Sequence, residues 1–434
     1  MKRILFIVFA VCCALIACDK HDELKQGFAT VDTYAQLPHC VIINADFDAD
    51  ETAYIKLVDA GSQEVIWSRK ADKHRNKFVV GGFQSGQLLD YELQLDDQVI
   101  DEGQITLPTL PDDYAAFVDV KTEGKPDMGG KCLLVNKMSM PSGVFLFDEN
   151  GQVVWSRLSD NFVKMVKMTK RGTLLTLEDN TGDKFGNGNL IYETTLSGDT
   201  LVALEYGKGG FDRMAHHDVV LTARGTYAFI TNVNVNGMVV DGITELNAYG
   251  DKVWDWDMAQ HVLPVEPGQT FNQPWGNSIF EDEDGNYLLS FRALSQIWTV
   301  NSATGKVLMK FGQGSQGAIG KDMLPMYQHH AQLPKANELL LFDNGHFTER
   351  PSSRIMKYLL NENGEVEQVS TCINLPQDLF SPFMSAVEPY PDGYIVASSI
   401  TKKIAGLNWE GQKLWEMKMG DRMFRAQLVN WEAY

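Results

Sequence analysis

The sequence predicts an all-β protein in which a small immunoglobulin-like β-sandwich precedes a six-bladed β-propeller. A strand–turn–strand pattern occurs six times, a second hairpin signal falls within most repeats, and helical periodicity long enough for βαβ units is absent. With 44% hydrophobic residues the composition is that of a globular protein, which excludes disordered and collagen-like architectures. The 434 residues suffice for one large and one small domain.

Each repeat contains an apolar strand, a polar turn that ends in glycine, and a second strand. The six turns end at Gly151, Gly198, Gly250, Gly305, Gly364 and Gly411. A second turn precedes an apolar run in four repeats, at residues 170–172, 223–225, 283–285 and 391–393. Two hairpins give four strands, which is one propeller blade. Residues 112–434 are therefore predicted to form six blades of roughly 54 residues each.

The N-terminus has the pattern of a secretory signal peptide over residues 1–17. Lys2 and Arg3 precede an apolar run that is shorter than the roughly 20 residues a membrane span needs. The end of this run, Leu15-Ile16-Ala17-Cys18, resembles the bacterial lipobox, which implies cleavage before Cys18 and acylation of its thiol. Ordinary signal cleavage near Ala17 is the alternative.

If Cys18 carries a lipid, residues 18–26 are a polar tether. The protein is then predicted to be a lipid-anchored protein of the bacterial cell envelope, in the periplasm or on the outer-membrane surface.

Alternating apolar and polar residues at 53–58, 64–67 and 91–95 predict the β-sandwich over residues 27–108. The proline-containing stretch at 107–113 is the expected linker to the propeller.

Charge and cysteine content restrict the partners. The chain has 38 Lys and Arg against 57 Asp and Glu, a net charge of −19, without a basic run, which argues against nucleic acid as a partner. Cys40, Cys132 and Cys372 lack metal-ligand spacing and are expected to be small buried residues, although one disulfide remains open. No cofactor is predicted, and a homodimer is compatible with the sequence.

Two pairs of adjacent histidines occupy equivalent positions in two predicted blades. The pairs are His216-His217 and His329-His330, and the matching place in the blade between them holds Trp275. Because neighbouring side chains on a strand point to opposite faces, at most one histidine of each pair is expected to face the channel. One pair alone would be read as a buried and a solvated histidine, but the recurrence indicates a shared site. Zinc is an alternative ligand, although neither HxH nor HExxH spacing occurs.

Five short motifs follow one another in the predicted propeller. They are His217-Asp218 before a glycine turn, Asn277-Ser278 with Ser290-Phe-Arg292 downstream, Gln328-His329-x-Ala331, Phe342-Asp-Asn-Gly345 followed by Ser353-Arg354, and Phe424-Arg-Ala426. Their order and spacing resemble the bacterial arylsulfate sulfotransferases, which are periplasmic six-bladed propellers with a small N-terminal β domain. The resemblance covers most of residues 112–434 and, in outline, the N-terminal domain.

The resemblance implies transfer of a sulfuryl group from an aryl sulfate donor to a phenolic acceptor, in ping-pong fashion through a sulfated histidine. It makes His329 the nucleophile, with His330 at a variable position; a slip by one residue remains open. His217 matches the family's histidine at the donor oxygen. Asn277 matches its asparagine, and Arg292 matches its sulfate-binding arginine. The other expected substrate contacts are His216, Trp275, His330 and Arg354, with Arg354 as a cation at the rim.

One position departs from the family pattern. Where the family has His-x-Asn-Ser, this chain has Trp275, so one proton-handling group is lost. The change implies either an altered substrate preference or a propeller that binds without turnover. The sequence therefore also allows an alternative function, in which the protein is a non-catalytic propeller on the envelope surface that recognises a sulfated or glycan ligand.

The residue types suit sulfuryl transfer. The transferred group spreads its charge over three oxygens, as in phosphoryl transfer, so fixed donors and positive charge stabilise it. A neutral imidazole such as that of His329 can act as nucleophile near neutral pH, and His217 could protonate the departing phenolate. Because the chain is acidic, a locally cationic mouth is required. The structural alternatives are a carboxylate partner for Arg292, a turn-closing role for Asn277 and simple packing for Trp275.

Overall fold

The computed structural model describes residues 27–47, 53–71, 76–96, 98–235, 238–262, 273–315 and 319–431. The predicted signal peptide, Cys18 and the rest of the tether lie outside the described residues. The described chain is all-β, as predicted. Its helical segments are the four-residue helices α1 (Ala115–Val118) and α2 (Ala259–Val262) and the 3-10 turns Asp112–Tyr114, Lys321–Met323 and Gln377–Leu379. None of the helices in these ranges is long and apolar enough to cross a membrane.

Residues 27–106 form two antiparallel sheets around one apolar core. The strands are β1 (Gly27–Asp32), β2 (Cys40–Phe47), β3 (Ala53–Asp59), β4 (Val65–Ala71), β5 (Lys77–Gly81), β6 (Leu88–Leu95) and β7 (Gln98–Thr106). One sheet has the order β1-β2-β5 and the other β4-β3-β6-β7. Val41 and Ile43 of the first sheet share the core with Ile55 and Leu57 of the second. Alternating burial along these strands is what packs two sheets face to face.

Residues 121–429 form six sheets that follow one another along the chain. Sheet 1 contains β9 (Cys132–Lys137), β10 (Ser142–Phe147), β11 (Val153–Ser159) and β33 (Ala426–Val429). Sheet 2 contains β12 (Phe162–Met168), β13 (Leu174–Asp179), β15 (Leu190–Thr194) and β16 (Thr200–Glu205). Sheet 3 contains β14 (Asn187–Gly188), β17 (Ala215–Leu221), β18 (Tyr227–Val235), β19 (Met238–Leu246) and β20 (Lys252–Asp257).

The remaining three sheets repeat the same order of strands. Sheet 4 contains β21 (Gly276–Glu281), β22 (Tyr287–Phe291), β23 (Gln296–Val300) and β24 (Val307–Gly312). Sheet 5 contains β25 (His329–Lys335), β26 (Glu338–Asp343), β27 (Arg354–Leu360) and β28 (Val366–Asn374). Sheet 6 contains β29 (Ala386–Tyr390), β30 (Gly393–Ser398), β31 (Lys403–Asn408), β32 (Lys413–Lys418) and β8 (Lys121–Gly124).

The sheets close into a ring, which gives the region a propeller-like architecture. The strands β12, β17, β21, β25, β29 and β33 contact one another in this order, and β33 also contacts β12. The ends of the region are exchanged between sheets: β33 pairs with β9, so that Ala426 lies opposite Val135, and β8 pairs with β32. The first and last segments of the region are thus hydrogen-bonded into sheets formed mainly by the other end.

The predicted glycine turns are where the repeat places them. Each of the six glycines lies in a hairpin turn between two consecutive strands of its sheet. Gly151, for example, joins β10 to β11 with φ 77°, and Gly411 joins β31 to β32 with φ 85°. Positive φ at this turn position suits glycine, since it has no Cβ. The glycines therefore identify the repeat in the sequence, because each hairpin turn needs this backbone conformation.

The β-sandwich packs against sheets 1 and 2. Ile42 and Val79 share an apolar cluster with Trp155 of β11. At the same junction His39 Nδ1 lies 2.7 Å from Ser156 Oγ. The predicted linker is partly packed rather than free, since Leu107 is buried. Among the described cysteines, Cys40, Cys132 and Cys372 are all free, so the disulfide that the sequence left open does not form.

Candidate active site

A cavity of about 590 Å³ lies at one end of the ring axis. The residues that line it come from all six sheets, and many of them begin or directly precede the innermost strands: Met138, Ser139, Met140, Phe162, Val163, Lys164, Asp183, Lys184, Phe185, Gly186, His217, Trp275, Arg292, His329, Phe383, Met384, Arg422 and Phe424. The volume is that of a pocket for a small organic ligand. Four of the sequence-predicted site residues, His217, Trp275, Arg292 and His329, meet here.

His329 begins β25 and is buried. Its Nδ1 lies 2.8 Å from Oδ1 of Asn344. The amide nitrogen of Asn344 donates to the carbonyl oxygens of Ser381 at 2.7 Å and Met384 at 2.9 Å, so the amide oxygen must face the imidazole. An amide oxygen only accepts, and Nδ1 therefore carries the proton. Nε2 is left with its lone pair.

The lone pair of His329 Nε2 is engaged by the backbone of Met384, whose N–H donates to it at 3.1 Å. Burial and the nearby Arg292 guanidinium lower the pKa of His329 to about 3. Both effects disfavour the imidazolium, so the ring is neutral across the physiological pH range. The result is an oriented imidazole whose basic nitrogen faces the backbone at Met384, which lines the same cavity as His329.

His217 lies in β17 at a bulge, with φ 60°. Its Nδ1 is 2.9 Å from Nδ1 of His216, and its ring centroid is 6.4 Å from that of Trp275. Burial, followed by the neighbouring His216 and His329, lowers the pKa of His217 well below its usual value. His216 does not line the cavity; it is buried, with Nε2 3.4 Å from Asp241 Oδ1.

One histidine of each pair reaches the cavity, but not through regular strand alternation. His217 and His330 both have positive φ, and the pairing with the next strand shifts register at both places. A bulge re-aims side chains in this way. It selects the second histidine of the first pair, His217, and the first histidine of the second pair, His329, for the same cavity.

Arg292 follows β22 and brings an unpaired charge to the cavity. Its guanidinium carbon lies 4.9 Å from the Tyr327 ring centroid, and Nη2 donates to the carbonyl oxygen of Pro382 at 3.2 Å. Within the described ranges no carboxylate pairs with Arg292, and its Nε is buried without a hydrogen-bond partner. Burial lowers its pKa from the usual value. The carboxylate partner considered as the structural alternative is therefore not found in the described chain.

Trp275 precedes β21 and is 39% exposed at the cavity wall. Its φ is 59°, a conformation that is unusual for a bulky residue. Trp415, by comparison, is 2% exposed and packs in the core between sheets 6 and 1. Trp275 thus presents its ring to the cavity, and the interpretation as sheet packing is wrong for this residue.

Besides His216, three more predicted contacts lie outside the cavity. Asn277 is buried, and its amide nitrogen donates to the carbonyl oxygen of Gln328 at 2.8 Å. His330 lines a second cavity of about 460 Å³, where its Nε2 is 3.4 Å from Glu388 Oε1. Arg354 is not a rim cation: it is buried, and its Nε donates to Asp343 at 2.8 Å. The acidic Asp343 at the end of β26 draws it into sheet 5.

The structure adds residues that sequence reasoning did not select for the site. Asn344 belongs to the motif Phe342-Asp-Asn-Gly345, and only its position beside His329 reveals its contact with the imidazole. Met384 carries no sequence signal. The cavity lining also includes Lys184 and Arg422, which are exposed, and Phe185, which is 75% exposed.

Strained backbone surrounds the cavity. Several non-glycine residues with positive φ line it or directly adjoin a lining residue in the chain: His217, Trp275, His330, Met384 and Ser385. Such conformations cost on the order of 1–3 kcal/mol each and cluster at functional sites. Within the described residues, no group of three His, Cys, Asp or Glu side chains is placed to hold a metal ion.

The fold and the cavity define a propeller-like all-β protein with a ligand site at one end of its ring axis. The Arylsulfotransferase (ASST) family model matches residues 118–428, which is most of the chain, and the chain belongs to this family. The family implies aryl sulfotransferase activity, with an aryl sulfate as donor and a phenol as acceptor. A comparison with curated proteins finds no match.

Solved structures resemble the chain only distantly. A protein of unknown function from Bacteroides caccae shares 14% identity, covering 70% of this chain and 100% of that chain, with a TM-score of 0.46. Virginiamycin B lyase from Staphylococcus aureus shares 12% identity, covering 85% and 99%, with a TM-score of 0.40. These scores lie below 0.5, so neither likeness bears on function.

Proposed function

We propose that the protein transfers a sulfuryl group from an aryl sulfate to an acceptor phenol in two steps, through a sulfohistidine at His329. The observation that carries the proposal is the contact between His329 Nδ1 and Asn344 Oδ1 at 2.8 Å. It leaves a neutral, oriented Nε2 as nucleophile, in a cavity that also holds the unpaired Arg292. An activated nucleophile beside a fixed positive charge is what group transfer to a protein side chain requires.

In the first step, Nε2 of His329 forms a bond to sulfur while the bond from sulfur to the aryl oxygen breaks. The departing aryl oxide takes a proton from His217. The phenol then leaves, and an acceptor phenol gives its proton to His217 as its oxygen attacks sulfur and the N–S bond breaks. Each proton taken up is returned, so the cycle balances without a cofactor.

His217 must be protonated when the leaving oxygen departs. Burial and its histidine neighbours lower its pKa. A bound sulfate ester adds a negative charge close to the ring, and an opposite charge favours the protonated form. Donor binding thus supplies the condition under which His217 acts as an acid.

The backbone N–H of Met384 supports the charge on the transferred group. In the unliganded site it donates to Nε2, the atom that attacks. A sulfuryl group on Nε2 would replace this contact and bring its oxygens to the same N–H. The guanidinium of Arg292 supplies the second set of donors, and one such fixed donor is worth about 3 kcal/mol in a transition state.

The architecture and location that accompany this function are also proposals. The six sheets correspond to the six blades of a propeller, and residues 27–106 correspond to an immunoglobulin-like domain. Cys18 would carry the lipid that anchors the protein in the bacterial cell envelope. Mass spectrometry of the protein purified from membranes, compared with Cys18→Ser, tests the anchor: loss of the acylated N-terminal peptide in the variant is expected.

The central experiment is intact-mass analysis after mixing with 4-nitrophenyl sulfate in the absence of acceptor. A single sulfuryl adduct on the peptide that contains His329 is expected, together with one equivalent of nitrophenol. His329→Ala should lose both signals, whereas His330→Ala should retain them. An adduct that survives in His329→Ala and disappears in His330→Ala would assign the nucleophile to the neighbouring residue.

A binding protein without turnover is the second candidate, and Trp275 in place of the family's histidine favours it. Such a protein would be stabilised against thermal unfolding by an aryl sulfate, yet would release no phenol even when acceptor is present. The same two measurements on His329→Ala provide the reference, because this variant keeps the cavity but lacks the nucleophile.

A further inference from the structure

The cavity carries more positive charge than the proposed reaction uses. Among the described lining residues, four are cationic, Lys164, Lys184, Arg292 and Arg422, while Asp183 is the one carboxylate. An aryl sulfate has a single negative charge at the reacting end. Since the whole chain has a net charge of −19, an excess of cations in one cavity is a local feature and not a consequence of composition.

The cations differ in how they are partnered. Lys164 is buried and donates to the backbone carbonyl of Asp183, and its Nζ lies 4.0 Å from Asp179. Asp183 in turn accepts from the backbone N–H of Phe185 at 2.7 Å and so holds its own loop. Lys164 and Asp183 are therefore structural.

Lys184 and Arg422 are exposed, and in the described part of the chain no carboxylate pairs with either side chain. They reach the cavity from different sheets: Lys184 follows β13 of sheet 2, and Arg422 precedes β33 of sheet 1. His329, at the reacting end, is only 3% exposed. The unpaired charges at the open end thus lie apart from the buried nucleophile.

Apolar and aromatic side chains make up much of the remaining cavity lining. They are Met138, Met140, Phe162, Phe185, Trp275, Phe383, Met384 and Phe424. A volume of about 590 Å³ leaves room for a ring with a substituent. Aromatic faces and methionine sulfur both pack well against an aromatic ring.

We propose, on the basis of the function proposed above, that the site selects phenols and aryl sulfates that carry a second anionic group, a carboxylate, away from the reacting oxygen. The ring lies between the aromatic walls, the hydroxyl or sulfate meets His329, and the carboxylate pairs with Lys184 and Arg422. Arginine accommodates a carboxylate with two parallel hydrogen bonds, which makes this group the best match for Arg422.

The test compares three acceptors of similar shape with 4-nitrophenyl sulfate as donor: 3-(4-hydroxyphenyl)propionate, 4-propylphenol and tyramine. We expect kcat/KM to be about tenfold higher for the carboxylate than for the neutral phenol, the value of one favourable charge contact of about 1.4 kcal/mol. Tyramine should be the poorest acceptor. The preference should weaken as salt is raised, because exposed charges are screened.

The variant Lys184→Met/Arg422→Met should bring the ratio of carboxylate to neutral acceptor close to one. The matched control is Lys125→Met/Lys306→Met, which removes the same charge from exposed lysines that do not line the cavity and should keep the ratio. Equal kcat/KM for the carboxylate and neutral acceptors of the unmodified protein would overturn the proposal, as would an unchanged ratio in the cavity variant.

Failure of the proposed function gives a different result. If no acceptor supports turnover, calorimetric titration of the three phenols still measures selectivity, with tighter binding of the carboxylate expected in the unmodified protein and not in Lys184→Met/Arg422→Met. Indistinguishable affinities of the three phenols would then reject the carboxylate site, independently of catalysis.

Discussion

Asn344 holds His329 by a contact of 2.8 Å between its side-chain oxygen and Nδ1 of the imidazole. The two residues lie side by side at the open end of the β25–β26 hairpin, where His329 begins the first strand and Asn344 follows the second. Two backbone carbonyls, those of Ser381 and Met384, fix the direction of the asparagine amide. The tautomer of the proposed nucleophile is therefore favoured by a residue that does not line the cavity. Asn344 is a positioning residue.

Replacing Asn344 tests this relationship. In Asn344→Leu the imidazole loses the closer of its two acceptors and keeps the Tyr327 carbonyl oxygen, 3.2 Å from Nδ1. The kcat should fall by roughly 5- to 150-fold, the equivalent of about 1–3 kcal/mol for a buried hydrogen bond. Asn344→Asp keeps the acceptor but adds a negative charge that favours the imidazolium. The pKa of His329 should then rise from about 3, and the acid limb of kcat/KM should move to higher pH.

The pH profile separates positioning from a merely structural role. If Asn344 only supported the fold, both substitutions would lower kcat/KM by the same factor at every pH. Nitrogen NMR of labelled histidine supplies a second readout, since the Nδ1–H tautomer should dominate in the unmodified protein and have a smaller population in Asn344→Leu.

His217→Gln should discriminate between leaving groups. An unactivated phenol, with a pKa near 10 as in tyrosine, needs a proton as it departs, whereas nitrophenol is a better leaving group. Release of 4-methylphenol from its sulfate should fall by about 100-fold or more, and release of 4-nitrophenol by a much smaller factor. A uniform loss for both donors would argue against His217 as the acid.

Trp275→Ala should weaken substrate binding more than chemistry. The exposed ring at the cavity wall offers an aromatic face, and such a pair is worth about 0.5–1.5 kcal/mol. KM for aryl sulfates should therefore rise roughly twofold to tenfold with little change in kcat. Trp275→His restores the family's residue type, and a rise in kcat in that variant would indicate that the tryptophan limits turnover.

The buried histidines make stability depend on pH. Burial lowers the pKa of His39 to about 4, so between its ordinary value of 6.5 and about 4 the unfolded chain binds a proton that the folded chain does not. Stability is therefore lost as the pH falls through this window, by about 1.4 kcal/mol per pH unit for this residue. His329 acts in the same direction, and Glu388, whose pKa burial raises to about 7, opposes it.

Urea denaturation of His39→Asn measures the contribution of this residue. The asparagine amide can replace the contact with Ser156 but does not titrate. The free energy of unfolding should depend less steeply on pH in the variant, by about 1.4 kcal/mol per pH unit between pH 6.5 and 4. Identical slopes for the variant and the unmodified protein would contradict the assignment.

Local rules predicted much of the fold. Gly151 and its five counterparts mark hairpins because their backbone conformation suits glycine, and alternating strands such as β3 are visible because one face is buried. The arrangement at the site was less accessible. The contact of Met384 with His329 joins residues that are distant in the chain, and the bulges at His217 and His330 break the alternation from which side-chain directions were inferred.

Arg354 is a second residue whose position the sequence did not predict: it was expected at the rim and is buried. A basic residue after a turn is usually read as exposed, yet Asp343 lies opposite it in the neighbouring strand and draws it into the interior. Cross-strand neighbours are set by register, which the turn length alone did not reveal. The charge of the cavity lining likewise depends on which loops meet there. Lys184 lies beside residues of the other sheets only because the six sheets close into a ring.

The closing strand β33 has a consequence for biosynthesis. Arg422 and Phe424, which line the cavity, precede this strand directly, and its partner β9 is made when the ring has scarcely begun. A nascent chain still emerging from the ribosome therefore already contains both histidines of the cavity but lacks the segment that encloses them. The cavity around His329 is therefore complete only after the final segment of the ring has been translated and docked.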